Sequence, residues 1–217
     1  MHNPSTFIVL GIAGAAFSIL GTIISAAAYR GKRGEVYSPL NHFISELGEV
    51  GVSRLAWAFN LSIILSGLCL IPAVVVLGLI MPGVISKLGM VAGIVTAVGL
   101  ALVGVFPMNK LKPHGIAALT FFRAGLLMVL LFSLAIALQP ESALVLPHAY
   151  SLAGLPAILA FGGFLIMMRK TSAEETDDPL QPMEGERPKF WLMPTVEWTI
   201  FVTIVLWFLL ITLGLSR

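Results

Sequence analysis

LAWAFNLSIILSGLCLIPAVVVLGLIMPGVISKLGMVAGIVTAVGLALVGVF, residues Leu55 to Phe106, carries a single charged side chain, Lys87. About 20 predominantly apolar residues are enough to cross the hydrocarbon core of a bilayer as a helix. This stretch supplies two such runs, divided at Met81, Pro82 and Gly83, a connection so short that the helices must be antiparallel neighbours. Lys87 falls in the first turn of the second run, where its long stem can snorkel to the headgroups.

Working outward from this pair, four more runs of the same kind appear, giving six in all: Phe7 to Tyr29, Leu55 to Met81, Val84 to Phe106, Gly115 to Leu138, Ala143 to Met168, and Phe190 to Leu215. The expected fold is an all-α polytopic transmembrane bundle, a single transmembrane domain over residues 1–217. Composition agrees, with 58% hydrophobic residues, 11% charged residues and a mean hydropathy of +0.96, which excludes an ordinary soluble domain. A net charge of +2 is too small, and its basic residues too clustered at span ends, for a nucleic-acid partner. The one cysteine, Cys69, lies inside an apolar run and excludes an internal disulfide or thiolate cluster. Basic residues follow the first run rather than precede it, so it reads as a retained span and not as a secretory signal.

Basic residues also orient the bundle. With the N-terminus outside, Arg30, Lys32, Arg33, Arg54, Lys110, Lys112, Arg169, Lys170, Arg187 and Lys189 fall on the cytoplasmic side and only Lys87 and Arg217 outside. The positive-inside rule thus places both termini on the non-cytoplasmic side of the cell membrane.

Two cytoplasmic connections are long. Residues 169–189 hold Glu174, Glu175, Asp177, Asp178, Glu184 and Glu186 with Pro179, Pro182 and Pro188, and read as a flexible acidic linker. The first loop, residues 30–54, is different: Tyr37 to Val52 reads YSPLNHFISELGEVGV. Ser38 before Pro39 marks a helix start, and Gly48 and Gly51 mark stops, so a short interfacial or re-entrant helix is expected there. His42, Ser45, Glu46 and Glu49 would share its polar edge. Small residues at Gly11, Gly14, Ser18 and Gly21 of the first span, and at Gly89 and Gly93 of the third, mark edges where helices pack closely, within the bundle or in a homo-oligomer.

Ionisable residues inside spans cost about 2.5 to 3.5 kcal/mol each on insertion scales, so each needs a partner or a task. Arg123 and Glu197 are the two that lie well inside, roughly 13 and 10 Å from the cytoplasmic interface at 1.5 Å per residue. Asn60 enters the second span to nearly the same depth. Either Arg123 and Glu197 form a salt bridge that orders the bundle, or the three help to line a pocket lidded by the His42 to Glu49 segment. His114, just after Pro113, borders the same region but lies nine residues before Arg123, on the opposite face of a regular helix. The expected ligand-binding residues are therefore Asn60, His114, Arg123 and Glu197. His42, Ser45 and Glu46 supply the residue types for proton transfer or acyl transfer, although adjacent side chains on a helix do not face one another. No cofactor is expected. His114 and His148 sit at opposite membrane faces and cannot share a haem; a zinc ion would need a set such as His42, His114 and Glu46, and no ligand-spacing motif marks one.

The segments HFISELG (His42 to Gly48), Asn60 after Phe59, GVFP (Gly104 to Pro107) and HGIAALTFF (His114 to Phe122) occur in order. Together they resemble the prokaryotic membrane proteins of the domain-of-unknown-function 998 family. The resemblance implies a six-span bundle and no established activity. A fainter similarity, through Ile44, Ser45, Glu46 and Gly48 before an Asn-bearing second span, is to the Frag1, DRAM and Sfk1 group. That likeness implies a lipid-related site at Ser45, Glu46 and Asn60. Three functions follow as expectations: binding or processing of a membrane-lipid headgroup, with Arg123 holding its anionic part; a small proton-coupled transporter, helped by helices broken at Pro72, Pro156 and Pro194; or a non-catalytic scaffold.

Overall fold

A computed structural model describes residues 4–174 and 187–216. Six helices, each long and apolar enough to cross a membrane, make up the bundle: α1 (Pro4–Ala28), α2 (Ala56–Ile80), α3 (Gly83–Val105), α4 (Leu111–Ala137), α5 (Leu155–Glu174) and α6 (Leu192–Leu215). No strand occurs among the described residues. Helices α1 to α4 pack closely in sequence order, while α5 and α6 close the ring more loosely.

Helix starts are set by proline. Pro113, Pro156 and Pro194 all sit in first turns, where the missing N–H costs nothing. Pro194 therefore begins its helix rather than breaking it, Pro72 lies within α2, and Pro156 sits inside the fifth span, His148–Lys170, where its 3₁₀ turn passes into the α-helix. Helix α4 begins four residues before Gly115, so His114 belongs to the helix and donates its backbone N–H to the Lys110 carbonyl.

The fifth span departs from expectation. Residues before 148 do not join it; His148–Gly154 forms a 3₁₀ turn and the α-helix starts at Leu155. Gln139 explains the delay. Its buried amide donates to the carbonyls of Ile136 (2.9 Å) and Leu146 (2.6 Å) and accepts the Val145 N–H (2.8 Å), holding residues 139–146 as an end loop. At that same end Lys87 does not reach for headgroups alone. Its ammonium donates to the carbonyls of Gly78, Leu79 and Met81, the group a helix C-terminus leaves unpaired.

The small-residue edges are spent inside the bundle. Gly14 and Gly21 face Leu70 and Ser62 of α2, Gly93 faces Val74, and Gly89 faces Phe132 of α4. At Gly104 the close neighbour is backbone, which cannot swing aside: an added Cβ would lie 2.5 Å from the Asn60 carbonyl oxygen. Of the acidic linker expected over 169–189, helix α5 takes the first part to Glu174, residues 175–186 lie outside the described part, and Arg187 is bonded to the first loop.

Candidate functional site

The loop between α1 and α2 is built around a buried carboxylate. Its only helical piece is a 3₁₀ turn, Ile44–Gly48, which starts later than Ser38 and stops at the expected glycine. Glu46 is fully buried. One of its oxygens accepts the Phe43 N–H (2.9 Å) and Arg187 Nη1 (3.0 Å); the other accepts Arg187 Nη2 (2.6 Å). This two-pronged geometry is the strong form of a charge-assisted pair. Burial pushes the Glu46 carboxyl above its ordinary range, with the Arg187 guanidinium and the Phe43 N–H pulling it back down.

The strand of chain before α6 completes the assembly. Arg187 also donates to the Asn41 carbonyl (2.9 Å), the Asn41 amide donates to the Pro188 carbonyl (2.9 Å), and the Trp191 N–H donates to the Leu40 carbonyl (2.8 Å). Tyr37 donates to the Phe43 carbonyl (2.9 Å) and accepts the indole N–H of Trp198 (2.9 Å). His42 is buried with its ring against Tyr29 and Tyr37, and its Nε2 has no hydrogen-bond partner among the described residues. Burial, reinforced by Arg187, lowers its pKa to about 4, so the imidazole is neutral at pH 7.

Two asparagines tie the loop's other edge. Asn60 donates to the Gly48 carbonyl (3.0 Å). Asn109 pairs with both backbone groups of Val50, accepting its N–H (2.7 Å) and donating to its carbonyl (2.8 Å).

Beneath this loop lies a cavity of about 110 Å³ between α1, α2, α3, α4 and α6. Ser45, His114 and Glu197 line its loop end, and it continues to Val74, Met128 and Phe208. Glu197 and Phe208 are separated by roughly 16 Å along α6, about half the ~30 Å hydrocarbon core. The walls are apolar in effect, since Ser18 and Thr96 return their hydroxyls to the Ala15 and Ala92 carbonyls of their own helices. No Lys or Arg is among the lining residues. Glu197 accepts the Ile44 N–H through Oε2 (2.8 Å), and Oε1 has no hydrogen-bond partner among the described residues. His114 is buried, with Nδ1 2.7 Å from the Phe106 carbonyl, which makes Nδ1 the donor.

The seven expected residues therefore divide. Ser45, His114 and Glu197 share the cavity. Asn60 and Glu46 hold the loop, and His42 is enclosed by tyrosines. No hydrogen bond links the side chains of Ser45, His42 and Glu46 to one another. Arg123 is exposed on the outer face of α4 and does not pair with Glu197. The reason is helical phase: nine residues separate His114 from Arg123, and once His114 turns inward Arg123 turns outward. Sequence reasoning missed Arg187, which it assigned to the linker. A carboxylate buried at Glu46 needs a cation, but the sequence does not show that Glu46 is buried, and Lys189 stands nearer than Arg187 to the aromatic entry to α6.

Among the described residues no group of three His, Cys, Asp or Glu side chains clusters as metal ligands do. A family model described as a protein of unknown function (DUF998) matches residues 12–214. No curated protein and no solved structure matches the chain, and none of the comparisons carries the fainter likeness to the Frag1, DRAM and Sfk1 group.

Proposed function

Since the chain belongs to the DUF998 family of proteins of unknown function, we propose its role from the cavity: it binds, within the membrane, one long apolar chain of a lipid whose polar end carries a hydrogen-bond donor. The observation that carries this reading is the apolar slot ending on Glu197. Such a space is too poor in polar groups to hold ordered water and favours an apolar occupant. At its loop end Glu197 Oε1 is left for a hydrogen bond to a ligand, and Ser45 and His114 line the same end. In the absence of a lining cation, a hydroxyl, amine or amide end suits the slot better than a phosphate. This departs from the expected anionic headgroup, because Arg123 lies outside the cavity.

The positive-inside count puts the polar end of the slot, and the loop above it, at the cytoplasmic leaflet. Proton-coupled transport draws less support, since Pro194 begins its helix instead of interrupting it and the cavity is lined by a single carboxylate.

The test is mass spectrometry of lipids that copurify with the detergent-extracted protein. Wild type should retain a hydroxyl- or amine-bearing lipid near one per chain. Glu197→Gln should retain it about tenfold less, equivalent to roughly 1.4 kcal/mol, and Ala15→Leu, which fills the slot, should lose it. Identical lipid profiles in all three proteins, matching the bulk membrane, would refute the proposal.

A further inference from the structure

Arg123 is a charge in the wrong place. It sits near the middle of α4, roughly 18 Å along the axis from Leu111 and roughly 21 Å from Ala137, on the face opposite His114. The residues that share this face, Ile116, Leu127, Leu130 and Leu134, are exposed and apolar. The surface is thus the one a bilayer would cover, and no hydrogen bond or ion pair to Arg123 occurs among the described residues. A permanently charged guanidinium in hydrocarbon requires an anion.

Helix α5 adds a second feature at the same level. Phe161 fixes the register, its ring centroid 5.9 Å from Phe121 and 6.4 Å from Phe122. The next two residues, Gly162 and Gly163, turn away from the core, and an added Cβ on either would meet nothing within 4 Å. At that level of the bilayer, therefore, the backbone of α5 is bare. A neighbouring helix can approach there as closely as small residues allow, which is how helices associate in lipid.

We infer that the exposed face of α4 around Arg123 is the docking site for a transmembrane helix of a second protein that carries one Asp or Glu near its middle. The carboxylate pairs with Arg123 while the helix packs along Ile116, Leu127, Leu130 and Leu134. Charge complementarity selects this occupant. A second copy of the chain is disfavoured, because Glu197, the acidic residue at this depth, is buried in its own bundle. A lipid phosphate is disfavoured by depth, since phosphates lie outside the ~30 Å core and Arg123 is near its centre.

The full-length protein, labelled with a donor dye, is reconstituted in phosphatidylcholine vesicles with acceptor-labelled polyleucine helices bearing a central Glu or none. Wild type should bind the Glu helix at least tenfold more tightly than the all-Leu helix. Arg123→Leu should erase the preference, and Arg123→Glu should transfer it to a Lys-bearing helix. In an Arg123→Leu background, Val95→Arg moves the charge to the exposed face of α3 and should leave binding at the all-Leu level. Equal binding by wild type and Arg123→Leu would overturn the inference, as would Glu-helix binding by the Val95→Arg protein equal to wild type. Loss of the preference when a third of the lipid is phosphatidylglycerol would reassign the site to a lipid phosphate. Arg123-dependent energy transfer between copies of the chain would reassign it to self-association. Either reassignment overturns the proposal.

Discussion

Replacing Arg187 by Ala should be among the most damaging single changes outside the bundle, and its cost should depend on pH. The substitution leaves the Glu46 carboxylate, 0% exposed, with only the Phe43 N–H. An uncompensated buried charge costs about 3–5 kcal/mol. Protonation limits that figure: giving a carboxyl of ordinary pKa ~4.3 a proton at pH 7 costs about 3.7 kcal/mol, so the expected loss is about 3–4 kcal/mol. The sign follows from linkage. Without Arg187 the folded-state pKa rises further above the unfolded value, the folded state binds more protons, and stability falls as pH rises above the ordinary carboxylate range. Lowering the pH from 7 to 5 should therefore recover about 2.7 kcal/mol of the loss. Glu46→Gln should cost less, about 1–2 kcal/mol, because Arg187 keeps a path to water with 13% of its side chain exposed. The double variant should cost little more than Glu46→Gln alone, a coupling of about 2–3 kcal/mol. Reversible unfolding in mixed micelles at pH 5 and 7 measures all four proteins. A penalty for Arg187→Ala below about 0.5 kcal/mol, or additivity of the two single changes to within about 0.5 kcal/mol, would refute the reasoning.

His42 should give the opposite pH dependence. With a folded-state pKa of about 4 against an ordinary 6.5, its contribution is fully present above pH 6.5 and lost as pH falls toward 4, a change of about 3 kcal/mol; the difference between His42→Phe and wild-type unfolding curves isolates it. Gly48→Ala sets a Cβ against the Asn60 amide oxygen and 3.0 Å from Phe59 Cδ1, which should cost about 1–3 kcal/mol and raise hydrogen exchange across residues 38–50. Gln139→Leu strips partners from the Leu146 carbonyl and the Val145 N–H, so a loss of about 2–4 kcal/mol should show as a lower melting temperature in detergent, with loop-end lipid retention unchanged.

Six spans were readable because an unbroken apolar run of membrane length has few other uses. The ends were less readable where polar side chains compete with helix geometry, and Gln139 shows why: its hydrogen bonds to Ile136, Val145 and Leu146 depend on how the chain turns after the helix and leave no mark on hydropathy. The site was legible in part. Glu197 and Asn60 stood out as polar groups in apolar runs, and both are bonded to the first loop. Depth alone suggested that Arg123 and Glu197 met. Depth fixes position along the membrane normal but not rotation about the helix axis, and rotation separated them. Arg187 was illegible for a different reason, because a residue flanked by acids and prolines reads as solvated unless its partner is known to be buried.

The bond from Arg187 to Glu46 joins residues 141 positions apart in the chain. A ribosome adding 5–20 residues each second reaches Arg187 roughly 7–30 s after it has passed Glu46. For all of that interval the first loop holds a carboxyl whose burial without its cation costs about 3–4 kcal/mol, which disfavours docking of the loop while the first five spans enter the bilayer. The loop that caps the cavity then gains its charge partner when the segment leading into α6 brings Arg187 to it.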